Sequence, residues 1–143
     1  MWLNQRTVDA IRIMAALAEA APAIVKAGRL AEITAITPLN VQKTANILAQ
    51  VGLVEAARGP YGGMRLARPA QSISVGEIAR AFEPKDCPAN FLAASEVDAR
   101  ISKLIFSAHR AFFRSLEATT LADLAGTGLL DAMAEPPLLT SSG

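Results

Sequence analysis

The sequence of 143 residues is 52% hydrophobic and 19% charged, with a formal net charge of +1 at pH 7. This length and apolar content suit one domain with a core of its own and exclude a second, catalytic domain. The charge is unevenly distributed, because residues 1–68 contain 8 Lys and Arg against 4 Asp and Glu, whereas residues 69–143 contain 6 against 9.

The first predicted element is a helix over residues 5–20, whose apolar positions indicate that it is largely buried. Ala21-Pro22 ends it, since proline cannot continue a helix. Arg6 lies near its start and is a candidate contact for a phosphate. A short helix over residues 27–33 follows, and Thr34-Ala35-Ile36 is the predicted turn to the next helix.

The next helix is predicted to begin after Thr37, a residue type favoured at the N-cap. Pro38 occupies its first position, where the missing N–H costs no hydrogen bond. The face predicted to be buried carries Val41, Thr44, Ala45, Leu48 and Val51. The opposite face carries Asn40, Gln42, Lys43, Asn46 and Gln50.

This second face is rich in amides and has no acid. Asn and Gln can form paired hydrogen bonds with an adenine edge, and Lys can reach guanine or a phosphate. A recognition helix in the major groove is therefore predicted, with base contacts from Asn40, Gln42, Lys43 and Asn46. The alternative is a solvated helix face, which would usually carry Glu as well.

A Gly-rich turn with basic flanks follows, between extended segments predicted over residues 53–57 and 64–67. Pro60 and three Gly in this turn supply the restricted and positive φ values that a hairpin needs. A protruding basic hairpin beside a helix-turn-helix is typical of a wing that meets phosphates or a minor groove. The predicted contacts come from Arg58, Tyr61 and Arg65, with Arg68 as a further cation on the flank. The alternative is a solvated basic hairpin.

Two helices are predicted after the wing. Ser74 and Glu77 have the spacing of a capping box and predict a helix over residues 75–82. Residues 84–90 are a predicted loop, after which Ser95 and Asp98 predict the start of a longer helix that continues to residue 117.

The longer helix is apolar on more than one side. Its main stripe consists of Val97, Ile101, Leu104, Ile105, Ala108 and Phe112. The stripe is widened by Phe106, His109, Phe113 and Leu116, among which His109 is interpreted as a packed or interface residue. One small domain cannot cover so wide a face, so a homodimer is predicted. Its contacts are predicted to include Ile101, Leu104, Ile105, Ala108 and Phe112.

Residues 37–54 and 58–69 resemble the Rrf-two (Rrf2) family of winged-helix regulators of bacteria. The similarity continues in the first helix, in residues 74–83 and in residues 120–124, and covers residues 1–125. It implies a winged helix-turn-helix that binds DNA as a dimer, more often as a repressor. Three positions depart from the family pattern and leave the operator sequence open: Asn40 replaces a frequent aromatic residue, Tyr61 interrupts the usual glycine run, and Met64 replaces a common Tyr.

Iron–sulfur members of this family carry three cysteines in the loop and at the start of the long helix. This chain has one, Cys87, and a dimer would offer two thiolates, fewer than the four ligands that such a cluster normally takes. No iron–sulfur cluster, metal or other cofactor is therefore expected. Cys87 is instead a candidate redox sensor, and the alternatives are a passive side chain and a metal ligand.

Neither an enzyme nor a membrane protein is expected. The one His and the one Cys lie far apart in the sequence, and a thiol-dependent enzyme using Cys87 is the remaining catalytic alternative. No apolar run approaches the roughly 18 residues of a membrane span, and the N-terminus does not resemble a signal peptide. A single Cys excludes an internal disulfide framework and suits the reducing cytoplasm.

The predicted fold class is mainly α with a small β-hairpin wing, a winged helix-turn-helix plus a long dimerisation helix. Residues 1–83 are the predicted DNA-binding domain, residues 84–125 the loop and dimerisation helix, and residues 126–143 a mobile C-terminal tail. The protein is predicted to be a homodimeric transcriptional regulator that binds specific sequences of double-stranded DNA and acts as a repressor. A small-molecule or redox effector is predicted to control it. The alternative is a winged-helix module for protein–protein contact with no operator.

Overall fold

A computed structural model describes residues 3–85 and 94–125 and confirms the predicted fold class. It is mostly helical, with one antiparallel hairpin of two strands in these ranges. The elements are α1 (Gln5–Ala20), α2 (Ala27–Thr34), α3 (Pro38–Gln50), β1 (Val54–Ala57), β2 (Gly63–Leu66), α4 (Val75–Phe82), α5 (Glu96–Glu117) and α6 (Leu121–Leu124).

Local capping explains where the helices begin. The side chain of Thr37 accepts a hydrogen bond from the backbone N–H of Asn40, and Pro38 follows it, as predicted. Ser74 and Glu77 form the predicted capping box at the start of α4. The predicted start of α5 is also confirmed, because Ser95 accepts from the backbone N–H of Asp98. Each cap satisfies a backbone donor that has no partner within its helix.

The end of α3 differs slightly from the prediction. The N–H of Gly52, at φ +76°, donates to the carbonyl of Ala49, and the N–H of Leu53 donates to that of Leu48. This is a Schellman motif, so Leu53 belongs to the helix cap and the strand begins one residue later. Val51 was predicted on the buried face but is 51% exposed, because it lies beyond the last helical turn.

The core is centred on α1, which packs against α2, α3, α4 and α6. Ile13, Met14 and Leu17 of α1 are completely buried. Leu121 of α6 is equally inaccessible, although it follows the long helix in sequence. The short helix after α5 therefore returns to the same core as the helix-turn-helix.

Backbone pairing holds that return in place. The N–H of Val75 donates to the carbonyl of Thr119 at 2.8 Å, and the N–H of Leu121 donates to that of Ile73 at 2.7 Å. At the other end of α4, Glu83 accepts hydrogen bonds from the Thr7 hydroxyl and the Asn4 N–H. These hydrogen bonds connect α1, α4 and α6 to one another. The predicted domain boundary after residue 83 stays a prediction.

Two groups of residues that the sequence analysis singled out lie outside the described ranges. Cys87 is in the segment 86–93, and the predicted tail is residues 126–143. Among the helices of residues 3–85 and 94–125, none combines the length and apolar character needed to cross a bilayer.

The wing is attached to the start of α2 by backbone hydrogen bonds. The N–H of Val25 donates to the carbonyl of Met64, and the N–H of Met64 donates to that of Val25, both at 2.9 Å. Gly63 makes this approach possible, since its φ is +154° and a Cβ there would lie 2.5 Å from the Val25 oxygen. An alanine at this position would push the wing away from residue 25.

We predict that Gly63→Ala lowers the free energy of unfolding by about 1–3 kcal/mol, from backbone strain and the lost approach to Val25. Gly28→Ala is the matched control, because a Cβ at this α2 position meets nothing within 4 Å. The control should be unchanged or more stable by up to about 1 kcal/mol. Urea denaturation of the two variants measures both effects, and equal stabilities would contradict the assigned constraint.

Candidate nucleic-acid interface

The amide-rich face of α3 points away from the core. Asn40, Gln42, Lys43 and Asn46 are exposed. Val41 and Leu48 on the other face are fully buried, and Thr44 and Ala45 are nearly so. The helix is thus anchored by one side, and its polar side is available to a partner. Base contacts by the four polar residues stay a prediction.

The turn between α2 and α3 sets the direction of the recognition helix. Ala35 adopts a left-handed conformation at φ 56°, and Ile36 beside it is only 7% exposed. The Thr34 hydroxyl donates to the carbonyl of Leu30 at 2.6 Å, which closes the last turn of α2. A buried residue directly after a left-handed one fixes how the chain enters α3, as a helix-turn-helix requires.

The wing tip projects from this body. Tyr61 is 92% exposed, and Arg58 is also exposed. Gly59, at φ +100°, and the hydrogen bond from the Gly62 N–H to the Gly59 carbonyl close the tight turn. Arg58 forms no ion pair within residues 3–85 and 94–125, so its guanidinium is available to an anion.

A cleft of about 530 Å³ separates the wing from α3. It brings together three of the predicted residues, Gln42, Asn46 and Arg58. Lys26, which sequence reasoning missed, completes its rim from the position before α2. The sequence did contain a signal for Lys26, because it directly precedes α2. The first helix of a helix-turn-helix crosses the DNA backbone, so a cation at its start is a candidate phosphate contact. The cleft therefore combines amides that suit base edges with cations that suit phosphates.

Two of the wing arginines have acidic partners that the sequence did not reveal. Arg65 lies opposite Glu55 in the strand pair, and its Nε donates to the Glu55 carboxylate at 2.9 Å. Arg68 donates to Glu77 of α4 at 2.6 Å. Both pairs are about half exposed, so each contributes little to stability and can exchange for a phosphate. Arg65 remains at the surface of the wing, whereas Arg68 connects the base of the wing to α4.

The Glu77 carboxylate is the acceptor on which this connection depends. A hydrogen bond from the Ser74 backbone N–H lowers the pKa of Glu77, and the Arg68 guanidinium lowers it further, while partial burial opposes both. The group is therefore ionised at neutral pH. A single side chain thus caps α4 and holds the flank of the wing.

Arg6 is placed differently from the other predicted contacts. It is exposed on the first turn of α1, where Asn4 and Thr7 bind Glu83 at the end of α4. The cleft is lined by other elements, α3, the wing and the start of α2. Its phosphate contact stays a prediction.

The long helix has a broad exposed apolar face. Phe113 is the one buried side chain of α5. Val97, Ile101 and Leu104 are 64%, 42% and 70% exposed, and Ile105 and Phe112 are partly covered. Phe106, predicted to widen the apolar stripe, is 51% exposed. His109 stacks near Phe113, with ring centroids 5.0 Å apart, which agrees with a packed residue.

Comparison with known proteins gives a consistent match. The model of the Rrf2 family, described as an iron-dependent transcriptional regulator, matches residues 3–127. CymR (YrzC), the global cysteine regulator of B. subtilis, is 26% identical with a TM-score of 0.75, over 87% of this chain and 96% of that one. The oxidized form of Staphylococcus aureus CymR is 27% identical with a TM-score of 0.73, over 88% of this chain and 97% of that one.

A third structure supports the fold. IscR of T. potens is 24% identical with a TM-score of 0.70, over 92% of this chain and 88% of that one. The arrangement of helix-turn-helix, wing and long helix is thus shared along nearly the whole of these proteins.

We predict that Arg65→Ala lowers affinity for all DNA duplexes alike and makes the dependence of log affinity on log salt shallower by about one unit. Glu55→Gln should act in the opposite direction, because it releases Arg65 from its ion pair and removes a negative charge from the wing. Fluorescence anisotropy over a range of salt concentrations measures both slopes.

Arg100→Ala is the control for this pair of variants, since Arg100 is an exposed arginine of α5 that is also ion-paired, with Glu96. It should keep the wild-type slope. A loss that Arg65→Ala shows with one DNA sequence and not with others would contradict a backbone contact.

Proposed function

This chain belongs to the Rrf2 family of DNA-binding transcriptional regulators, and we propose that it acts as a sequence-specific repressor that binds duplex DNA as a homodimer. The observation that carries the proposal is the cleft between α3 and the wing, with Gln42, Asn46, Arg58 and Lys26 at its edge. A module for protein contact alone would not need an acid-free amide face beside Lys26 and Arg58, two cations that form no ion pair within residues 3–85 and 94–125. Within this proposal, the role as a repressor is suggested by the family resemblance.

In the proposed complex, α3 enters the major groove with its N-terminal half first. Asn40, Gln42, Lys43 and Asn46 then face base edges, while the wing follows the backbone to the adjacent minor groove. Two copies related by a two-fold axis would place their α3 helices about 34 Å apart, one turn of DNA. The operator would accordingly consist of two inverted half-sites.

The homodimer is proposed from the exposed face of α5. Phe113 is the buried side chain of α5, and the protein itself covers it. A row of large apolar side chains on the same helix, including Ile101 and Leu104, remains exposed. Burial of such a row against its symmetry mate removes apolar area from water and gives an isologous interface. The same helix pair would fix the distance between the two recognition helices.

Iron dependence, which the family description contains, does not fit the donor set of this sequence. The 143 residues include one Cys and one His. In the part of the chain that the structure describes, no three His, Cys, Asp or Glu side chains are grouped to hold a metal ion. We therefore propose a cluster-free regulator, in which Cys87 stays a candidate redox sensor and a small molecule is the alternative effector. A cytoplasmic location is proposed because the target is DNA.

The test of sequence-specific binding begins with selection of bound duplexes from a random pool. On the selected operator, Gln42→Ala and Lys43→Ala should each weaken binding by about 1–3 kcal/mol, because each removes a base contact. Gln50→Ala is the control, an exposed amide at the far end of the same helix, and should bind like wild type. Binding should also fall steeply with salt, which a module for protein contact would not show. Unchanged affinity in both variants would exclude this face as the reader.

The dimer has its own test. Ile105→Glu places a charge in the proposed contact and should cost several kcal/mol of association, since a buried unpaired carboxylate is strongly disfavoured. Ser107→Glu introduces the same charge at an exposed position on the opposite side of α5, in line with Lys103 and Arg114, and should leave the dimer intact. Light scattering at micromolar concentration gives the masses. A folded dimer of the Ile105 variant would disprove the assigned face.

A further inference from the structure

The first turn of the recognition helix carries one apolar side chain that the core does not use. Leu39 follows Pro38 at the start of α3 and is 63% exposed. The apolar residues that anchor the helix, Val41 and Leu48, are fully buried. Leu39 therefore adds little to the packing of α3, and most of its side chain is available to a partner.

Helical spacing places Leu39 in the row of polar residues that faces outward. Residues three, four and seven positions apart share one face of an α-helix, so Leu39 heads the row of Gln42, Lys43 and Asn46. All four side chains are exposed. The row thus begins with an aliphatic group at the end of the helix that enters a major groove first.

The surroundings of Leu39 favour DNA over protein as the occupant. Amides and a lysine surround it, α3 contains no acid, and Lys43 forms no ion pair in residues 3–85 and 94–125. Among the described residues, the contiguous apolar surface that favours a protein interface lies on α5 and not here. In the major groove, the apolar group on a base edge is the C5-methyl of thymine.

We propose that Leu39 is a specificity-determining residue that packs against the C5-methyl group of a thymine in each half-site. The proposal rests on the proposed function, because it requires α3 to lie in the major groove. It adds an apolar contact to the hydrogen bonds expected from the amides, and it predicts a preference for thymine at one position near the N-terminus of the helix.

Replacement of each operator thymine in turn by deoxyuridine tests the contact, because deoxyuridine lacks the methyl group and pairs identically. With the full chain, one thymine position in each half-site should be sensitive to this replacement. A single deoxyuridine at that position should weaken binding about fourfold, the effect of one buried methyl group. Leu39→Ala should bind the thymine and deoxyuridine operators equally. Leu39→Met keeps an apolar side chain and should retain the discrimination, as should Val51→Ala, which alters the exposed apolar residue beyond the other end of α3.

Each other outcome overturns the proposal in a recognisable way. The same penalty for deoxyuridine in wild type and Leu39→Ala would show that another residue contacts the methyl group. If binding stays sequence-specific but no thymine replacement weakens it, Leu39 does not contact a thymine methyl group. The proposed function would then remain in place. If no operator is selected at all, both proposals fail. A changed sedimentation coefficient of Leu39→Ala would show that a second copy covers this residue.

Discussion

Two backbone hydrogen bonds between Val25 and Met64 determine where the wing lies relative to the helix-turn-helix. A two-stranded hairpin alone is marginal in water, so β1 and β2 need a further partner to hold a fixed position. Val25 supplies it, and the Met64 side chain, 3% exposed, adds an anchor in the core. Because Lys26 follows Val25 directly, the same two bonds bring a second cation to the cleft that Arg58 lines. The surface proposed to bind DNA therefore depends on a backbone contact between the wing and the segment just before α2.

Much of the fold was predictable because its signals are local. The caps at Thr37 and Ser74 act within three residues of the helix ends that they define, so a sequence pattern contains them completely. The exposed row of α3 followed from helical period alone. The ion pair between Arg65 and Glu55 spans ten residues, and the approach of Gly63 to Val25 depends on a turn in three dimensions. Sequence spacing does not encode such pairings, and for this reason Lys26 and the acidic partners of the wing were missed.

Helix α4 lies between the elements proposed to face DNA and the long helix, and an ion pair joins it to each. Glu77 binds Arg68 from the wing, and Arg80, one turn later, binds Glu117 of α5 and stacks over Phe113 at 4.6 Å. The ion pairs are exposed and worth about 1 kcal/mol or less each, so they orient the elements more than they stabilise them. The rigid part of the connection is apolar and includes the fully buried Ile78.

The packing of this junction also explains how a regulator can keep the fold of the family with a different donor set. At Gly76 a Cβ would lie 2.9 Å from the backbone nitrogen of Glu117, so α4 and the end of α5 meet backbone to backbone. The pairing of Val75 with Thr119 and the burial of Leu121 complete the closure with protein atoms. Within the described residues, this junction is closed by backbone pairing and apolar packing. The sensor role proposed for Cys87 therefore places no requirement on the DNA-binding scaffold, since function resides in sites that the fold supports.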